Sequence, residues 1–342
     1  MENMASEFLV RTCRMHKKFN GNAGFLHLIP IYNIRNALSD YRHTVCGSLA
    51  EFYIQPIYSC IDDLDVLSAN VTLMAFDSSR FELPECAGDL SDVIVGMKLE
   101  SYEQNKSFVR LGDLIFGAYD WHLEQYYFTV VHKTPLVQPC LSPEHIVGRR
   151  QHTTVFYNGR PREANINEKY QVMLTAHGPA VKSIYQVSNK TRDVVWCVRC
   201  PVWPLVAEAW PKRERHAGWP NSATIAKVVQ KGCDVVPVKH RDMLEELNQW
   251  RISFSRAEVT LIQSWTPTQQ IVYHLLRFFA KRELIRKNCP KKEEVVCTYH
   301  LKTLMLWSCE EESIEWWTSS SVVADCCKML WKLGECLKHR HC

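Results

Sequence analysis

A short turn and the strand that follows it decide the fold prediction: Val45-Cys46-Gly47-Ser48-Leu49-Ala50-Glu51, then Ile61-Asp62-Asp63-Leu64-Asp65-Val66-Leu67. Side chains on a strand alternate between its faces, so Asp63 and Asp65 point the same way while Leu64 and Val66 pack behind them. Two carboxylates on one face suit a hard divalent cation such as Mg²⁺. The backbone N–H groups of a small-residue turn, here Gly47-Ser48, can hold phosphate. This combination predicts a metal-dependent nucleotidyltransfer site.

A third candidate carboxylate lies far along the chain, in Thr191-Arg192-Asp193-Val194-Val195-Trp196-Cys197-Val198. The β-branched and apolar run after Asp193 is typical of a buried strand. A carboxylate at the mouth of such a strand needs solvent, a partner or a metal, because burying an unpaired charge is costly. The residues alone leave open whether Asp193 binds a metal, caps a turn or pairs with Arg192.

Further motifs accompany these acids along the rest of the chain: His177-Gly178-Pro179-Ala180-Val181, Arg199-Cys200-Pro201-Val202-Trp203-Pro204, Trp219-Pro220, Val235-Val236-Pro237, Trp250-Arg251-Ile252-Ser253-Phe254-Ser255 and Cys297-Thr298-Tyr299-His300-Leu301-Lys302. Together they resemble the cyclic GMP–AMP synthase and Mab-twenty-one family of nucleotidyltransferases, and within it the invertebrate cyclic GMP–AMP synthase-like receptors. The resemblance extends from about Cys46 to the end of the chain.

The resemblance implies a bilobal α/β (α+β) nucleotidyltransferase fold. A mixed-sheet catalytic lobe is expected over residues 1–240 and a helical Mab-type lobe over residues 241–342. It also implies a reaction that joins two nucleoside triphosphates, ATP and GTP, into a cyclic dinucleotide in a nucleic-acid sensor of innate immunity. Two other interpretations stay open: a catalytically silent Mab-type protein that binds nucleotide or partners, and a nucleic-acid-binding module with a vestigial site.

The resemblance also assigns roles to seven residues. Asp63, Asp65 and Asp193 would hold Mg²⁺ or Mn²⁺, and Gly47 and Ser48 would hold the donor phosphates. Thr298 and Tyr299 would contact the nucleotide, with the Tyr299 ring stacked on a purine. Without the resemblance, the more common interpretation of Tyr299 is a packing residue. The family lysine that contacts nucleotide phosphate has no clear match, since Tyr273 or His274 falls near its place.

Local patterns support two lobes. Tyr126-Tyr127-Phe128-Thr129-Val130-Val131 predicts a strand. From Arg241 onward the pattern becomes helical, and Pro267 suits a first helical turn. Apolar residues recur at helix spacing in two segments: Ile271, Val272, Leu275, Leu276 and Phe279, then Val323, Cys326, Leu330, Leu333 and Leu337.

Composition sets the broad class of the protein. The chain has 342 residues, 46% of them hydrophobic, so it can bury a sizeable core. It has 15 Cys in scattered positions and no apolar signal segment at its start, so we expect reduced thiols and a cytoplasmic location. We expect no structural zinc, because Cys197 and Cys200 lack a second ligand pair at finger spacing. No stretch is apolar enough to span a bilayer, so no membrane partner is expected.

Basic residues form two clusters: Lys212, Arg213, Arg215 and His216, then Lys281, Arg282, Arg286, Lys287, Lys291 and Lys292. The net charge of +4 is too small to decide their role. They form either a solvated helix face or a phosphate track for double-stranded DNA or RNA.

Overall fold

The computed structural model describes residues 2–12, 43–51, 63–77, 93–102, 105–120, 125–131, 154–157, 160–163, 172–185, 190–238, 240, 249–280 and 297–339. Its strands are β1 (His43–Cys46), β2 (Asp63–Phe76), β3 (Val93–Ser101), β4 (Phe108–Asp120), β5 (Gln125–Val131), β6 (Thr154–Tyr157), β7 (Arg160–Glu163), β8 (Val172–His177), β9 (Ala180–Tyr185), β10 (Lys190–Cys200), β11 (Cys233–Val236) and β12 (Gln249–Ser253). Its α-helices are α1 (Glu2–Thr12), α2 (Gly47–Glu51), α3 (Ala209–Lys212), α4 (Ser222–Lys231), α5 (Ser255–Gln263), α6 (Pro267–Phe279), α7 (Thr298–Glu311) and α8 (Val322–Lys338). A mixed sheet followed by helices confirms the expected fold class, and β5 confirms the strand predicted at residues 126–131.

The central feature of the sheet is a closed ring of strands in the order β2-β3-β4-β12-β11-β10. The ring closes on β2, whose first half runs parallel to β10 and whose second half runs parallel to β3. Strand β1 extends the sheet beside β2, β5 pairs with β4, and the β8–β9 hairpin pairs with β10. Strands β6 and β7 form a separate pair.

Each of the six ring strands contributes to one apolar core: Ala75, Met97, Leu99, Val109, Leu111, Val198, Cys200, Cys233, Val235, Trp250 and Ile252. Strand β12 enters this core by alternation, because Trp250 and Ile252 are buried while Arg251 is exposed. This corrects the expectation of a helical pattern from Arg241 onward. The sheet continues through Ser253, and in the described residues that follow Arg241 the helices begin at Ser255.

The second core lies among the helices α1 and α4–α8. Pro267 occupies the first turn of α6, and the Thr266 side chain accepts a hydrogen bond from the backbone N–H of Gln269 in a capping box. The predicted apolar face of α6 is buried, except for Phe279 at the end of the helix. The last helix is confirmed, but its buried apolar face is Val322, Cys326, Met329 and Leu333, so Leu330 is exposed. In the same helix Cys326 is buried, whereas Cys327 is exposed.

The first helix packs on the last one. The buried Ser6 hydroxyl of α1 accepts a hydrogen bond from the backbone N–H of Val323 in α8 at 3.3 Å, and Leu9 and Val10 pack against the helical core. Helix α1 therefore packs against the helical core, and the expected division into residues 1–240 and 241–342 stays a prediction. None of the helices that the structure describes has the length and apolar character needed to cross a bilayer.

Candidate active site at the junction of the two lobes

The site is built on the parallel pairing of β2 and β10. In this register Asp193 is the partner of Asp65, and Thr191 is the partner of Asp63. Register partners on adjacent strands project from the same face of a sheet, so Asp65 and Asp193 form a carboxylate pair. Asp193 lies within β10, which excludes the turn-capping alternative. The side chain of Asp63 lies outside the described residues, so its contribution stays a prediction.

This carboxylate pair lies on the sheet face that meets the helical lobe. Strand alternation puts Asp65 on the same face as Leu67 and Ala69. Leu67 and Ala69 are buried with Cys197 from β10, and Val259 of α5 packs against that cluster. The two carboxylates therefore stand at the end of an apolar contact between sheet and helices, where a cleft between the lobes would begin.

The Gly47 turn lies directly against Asp65. Strand β1 places Cys46 as the register partner of Asp65 on its other side. Gly47 has φ +64°, and a Cβ atom there would overlap Oδ2 of Asp65 and lie 2.8 Å from its Cγ. A glycine is needed both for the backbone conformation and for this close approach. Burial and the neighbouring Asp65 carboxylate raise the pKa of the Cys46 thiol, which keeps it protonated.

A lysine lies on the opposite side of the carboxylate pair. In the antiparallel pairing of β9 with β10, Lys182 is the register partner of Asp193. The sheet therefore carries Lys182, Asp193, Asp65 and Cys46 side by side on four neighbouring strands. Sequence reasoning passed over Lys182, because the register that brings it beside Asp193 comes from the β9–β10 pairing.

Tyr299, the predicted nucleotide platform, lies in the first turn of α7, and its role stays a prediction. The Tyr299 side chain is 58% exposed, and the Lys302 ammonium lies 5.9 Å from the centre of its ring. Partial burial and the charge of Glu258 raise the pKa of the Tyr299 hydroxyl, while the charges of Lys302 and of Arg251 on β12 act in the opposite direction. Thr298 is the first residue of α7. The exposure of Tyr299 removes the alternative of a core residue.

Sequence reasoning missed the most buried charge of this region. Glu51, the last residue of α2, is fully buried and lies 2.6 Å from the Lys302 ammonium and 3.5 Å from the Arg277 guanidinium. The Tyr273 hydroxyl donates a hydrogen bond to Glu51 at 3.3 Å. We call Glu51, Lys302, Arg277 and Tyr273 the Glu51 junction.

The surroundings of Lys302 and Tyr273 in the Glu51 junction shift the pKa values of these two side chains. Burial acts to lower the pKa of the Lys302 ammonium, but the carboxylates of Glu51 and Glu258 outweigh it and hold that pKa well above its usual range. Burial and Glu51 also raise the pKa of the Tyr273 hydroxyl. Glu51 lies four residues after Gly47, and this spacing was the one sign in the sequence that the two could act together. The partners of Glu51, Tyr273 and Arg277, lie more than two hundred residues further along the chain.

A second buried network lies further along the same sheet, around Asp234. Asp234 of β11 is fully buried, and the Arg256 guanidinium of α5 donates to its Oδ2 at 2.8 Å. Arg256 also donates to the Thr44 hydroxyl of β1, and Arg199 of β10 lies 3.7 Å from Asp234. This network ties three strands of the sheet to the first turn of α5. It supports the face that carries the carboxylate pair.

The first basic cluster is engaged within the protein. Arg213 donates to Glu310 of α7 at 2.7 Å and lies 4.6 Å from the ring centre of Trp307. Arg215, with a side chain only 5% exposed, also approaches Glu310 at 3.5 Å, and Lys212 pairs with Glu208. Arg213 and Arg215 therefore hold the segment after β10 on α7 and do not form part of an open phosphate track. The second cluster, at residues 281–292, lies outside the described residues.

The described residues contain only part of the predicted metal site. Among the residues that the structure describes, His, Cys, Asp and Glu side chains form no cluster of three that could hold a metal ion. Two of the three predicted ligands, Asp65 and Asp193, are described and adjacent in register. Cys197 and Cys200 are both buried, and the Cys197 thiol donates to Asp234 at 3.7 Å.

Comparison with known proteins agrees with the fold class. Residues 149–264 match the Mab-21 protein nucleotidyltransferase domain, and residues 268–342 match the Mab-21 protein HhH/H2TH-like domain. Proteins named mab-21-like are similar to this chain in three insects: 27% identical over 147 residues in Aedes aegypti, 29% over 147 residues in Anopheles gambiae and 27% over 150 residues in Drosophila melanogaster.

Each alignment covers 41% of this chain and 38% of the relative, so the matched part is less than half of those proteins. The family matches begin before β10 and end with the chain, and they contain Asp193, Tyr299 and Lys302. The two matched segments make this chain similar to Mab-21 proteins in its nucleotidyltransferase-like part, residues 149–264, and in its helical part, residues 268–342.

Proposed function

We propose that the protein is a metal-dependent nucleotidyltransferase that joins two nucleoside triphosphates, ATP and GTP, into a cyclic dinucleotide with release of pyrophosphate. The observation that carries the proposal is the register of β2 and β10, which makes Asp65 and Asp193 neighbours on the face toward the helical lobe. Like charges directly opposite each other on adjacent strands are destabilising. A fold that brings two such groups together is consistent with a cationic ligand at this point.

The donor set fits Mg²⁺ or Mn²⁺. Asp65 and Asp193, with Asp63 in register with Thr191, would offer the oxygen ligands that hard cations prefer. When bound there, such ions would neutralise the triphosphate and lower the pKa of the attacking ribose hydroxyl. Ligand oxygens from two different strands would be held rigidly by the sheet, because the backbone of each strand is fixed by pairing on both sides.

The chain's own residues would bind and orient the nucleotides. The Gly47-Ser48 turn, held against Asp65, would place the donor phosphates beside the carboxylates. The exposed ring of Tyr299 would stack on a base, with the hydroxyl of Thr298 at the start of the same helix. Arg251, exposed on β12 and close enough to Tyr299 to affect its pKa, would add a positive charge near the same base or its phosphates.

The test is a product assay. The purified chain is incubated with the four labelled nucleoside triphosphates and Mg²⁺ or Mn²⁺, with double-stranded DNA, double-stranded RNA or neither, and the products are separated by chromatography. We expect a cyclic dinucleotide from the natural chain and none from Asp193→Asn. Asp77→Asn is the matched control. Asp77 directly follows β2, but its side chain accepts a hydrogen bond from the backbone N–H of Leu205 at 2.6 Å and is not part of the carboxylate pair. Product from Asp193→Asn at the natural rate would exclude this site.

A role as an innate-immune sensor is the finer part of the proposal, with double-stranded nucleic acid as activator and the cytoplasm as location. Its support is the resemblance together with the basic residues 281–292 of the sequence. Product that forms only when DNA or RNA is added supports it. Equal product without nucleic acid contradicts it.

A catalytically silent nucleotide-binding protein is the second candidate. It is favoured by Lys182, the register partner of Asp193, because an ammonium carried by the neighbouring strand would compete with a divalent cation for the same carboxylate. This candidate predicts binding of ATP by the natural chain without product under any of the assay conditions.

A further inference from the structure

We infer that the Glu51–Lys302 ion pair is a positioning element that holds the Gly47-Ser48 turn at a fixed place relative to the Tyr299 ring. The inference rests on the proposed function for what the turn and the ring bind. It adds Glu51 and Lys302 as positioning residues, which act through the turn and the ring and need not touch the nucleotide themselves.

One end of the connection is the short helix α2, which starts at Gly47 and ends at Glu51. Its last residues are attached to the helical lobe in two ways. The Glu51 carboxylate is 1% exposed and 2.6 Å from Lys302, and the carbonyl oxygens of Ala50 and Glu51 accept hydrogen bonds from Gln263 at 2.7 Å and Gln270 at 3.2 Å. Gly47 and Glu51 are the two ends of this helix and lie only about 6 Å apart along its axis, so holding Glu51 restricts where the turn can lie.

The other end is helix α7. Lys302 follows Tyr299 by three residues, which puts both side chains on one face of the helix. The Lys302 ammonium lies 5.9 Å from the Tyr299 ring centre, 2.6 Å from Glu51 and 2.9 Å from Glu258 of α5. One cation therefore contacts the end of α2, helix α5 and the aromatic ring. A displacement of either α2 or α7 would break contacts with this cation.

An ion pair that merely stabilises the fold is the alternative. Buried ion pairs are weak evidence for stability, because apolar or neutral replacements of both partners are often tolerated. The two explanations differ in what happens when both charges are removed together. If the pair is only structural, removing both charges restores stability and function together. If the pair is a positioning element, removing both charges restores stability, but the Gly47-Ser48 turn is no longer held at a fixed place relative to the Tyr299 ring.

The variants are Lys302→Met, the double variant Glu51→Gln with Lys302→Met, and Lys332→Met as matched control. Lys332 forms an ion pair of the same length, 2.6 Å to Glu311, near the other end of α7 and away from α2. Hydrogen exchange of residues 43–51 is measured without nucleotide. We expect faster exchange in Lys302→Met and in the double variant, and exchange at the natural rate in Lys332→Met. Unchanged protection of residues 43–51 in the folded double variant overturns the inference.

A second measurement uses ATP with Mg²⁺ as the probe. In the double variant, affinity should stay about tenfold below that of the natural chain, as expected for lost coupling between two sites, even where thermal stability has recovered. The effects of Ser48→Ala and Tyr299→Ala on ATP affinity should be coupled in the natural chain and additive within about a factor of two in the double-variant background.

Natural ATP affinity in the folded double variant, or coupling that persists there, overturns the inference. Absence of ATP binding by the natural chain instead refutes the proposed function, and hydrogen exchange of residues 43–51 then decides whether the ion pair holds the turn.

Discussion

Acidic side chains occupy two contrasting surroundings on either side of the α2 helix. On the sheet, Asp65 has a second carboxylate, Asp193, as its register partner. In the Glu51 junction, the Glu51 carboxylate has an ammonium at 2.6 Å, a guanidinium at 3.5 Å and a tyrosine hydroxyl at 3.3 Å. The fold neutralises Glu51 with its own cations, while on the sheet it sets like charges side by side. The ion pairs of Glu51 hold α2 in place, and the like charges on the sheet are consistent with binding a ligand cation.

Neutralising the carboxylate pair has the largest expected effect on function. In Asp65→Asn with Asp193→Asn, product formation should fall below detection, because the ligands for the metal ions are lost. The free energy of unfolding should stay equal or rise by roughly 0.2–1 kcal/mol, because repulsion between the two strands is removed. The product assay and urea unfolding check both parts. A variant that turns over normally, or one that loses several kcal/mol, contradicts the assigned role of the pair.

The same chemical change in the Glu51 junction should act in the opposite direction on stability. Glu51→Gln removes the buried carboxylate that Lys302 and Arg277 share, although Lys302 keeps its contact with Glu258, and breaking a buried ion pair costs about 3–5 kcal/mol. Urea unfolding of two separate variants, Glu51→Gln and Asp65→Asn, compares the stability of the two regions directly. Glu311→Gln is the control, because the side chain of Glu311 is 55% exposed and its pair with Lys332 is worth at most about 1 kcal/mol. Equal stability of Glu51→Gln and Glu311→Gln would remove the contrast.

How much of this contrast the sequence could reveal depends on which interactions are local. The two-residue alternation of a strand predicts the shared face of Asp63 and Asp65, and the apolar run after Asp193 predicts its strand. The pairing that brings β10 to β2, and Lys182 to Asp193, is a long-range event that the resemblance implied in part and local pattern does not encode.

The partner of the first basic cluster was hidden for the same reason. Arg213 and Arg215 are close together in the chain, but their partner Glu310 is 97 residues beyond Arg213. The phase of α8 was also misjudged: Val322 and Met329 turn inward while Leu330 is exposed, because the neighbours of a helix decide which of two possible apolar stripes is buried. Strand β12 was missed although Trp250-Arg251-Ile252 alternates, since three residues are too few to separate a strand from a helix.

The next largest effect concerns pH and the helical core beside the Glu51 junction. Burial, with a smaller contribution from Arg277, lowers the pKa of His274 from 6.5 to about 4. The unfolded chain therefore binds a proton between these values that the folded chain does not, so stability falls as the pH is lowered from 6.5 to 4. The loss approaches about 3 kcal/mol over that window.

His274→Gln should remove this dependence. Urea unfolding at pH 7 and pH 5 should show a smaller loss of stability in His274→Gln than in the natural chain. The same pH dependence in both proteins would show that another group is responsible.

Replacement of Tyr299 should change nucleotide affinity by roughly ten- to a hundredfold, since stacking on an aromatic ring is worth about 1–3 kcal/mol. Tyr299→Ala should weaken ATP binding to this extent, and Tyr299→Phe should change it little because the ring remains. Stability should be nearly unaffected in both variants, because the side chain is 58% exposed. Binding is measured by calorimetry and stability by thermal melting. A loss of stability without a loss of affinity would make Tyr299 a packing residue.

The smallest expected effect separates the enzyme from the silent protein, through Lys182. A cross-strand pair of opposite charges is worth roughly 0.2–1 kcal/mol, so Lys182→Met should tighten Mn²⁺ binding by up to about fivefold as the competing ammonium is removed. Lys182→Arg, which keeps the charge, should bind Mn²⁺ like the natural chain. Titration followed by the Mn²⁺ electron paramagnetic resonance signal measures this without relying on turnover.

Tighter binding together with new product formation in Lys182→Met would mean that Lys182 silences the site, whereas tighter binding with unchanged turnover would leave the natural chain an enzyme that tolerates its neighbouring cation. Identical Mn²⁺ affinity in all three proteins would show that the Lys182 ammonium does not act on Asp193 at all, and the register of β9 and β10 would then have no electrostatic consequence for the carboxylate pair.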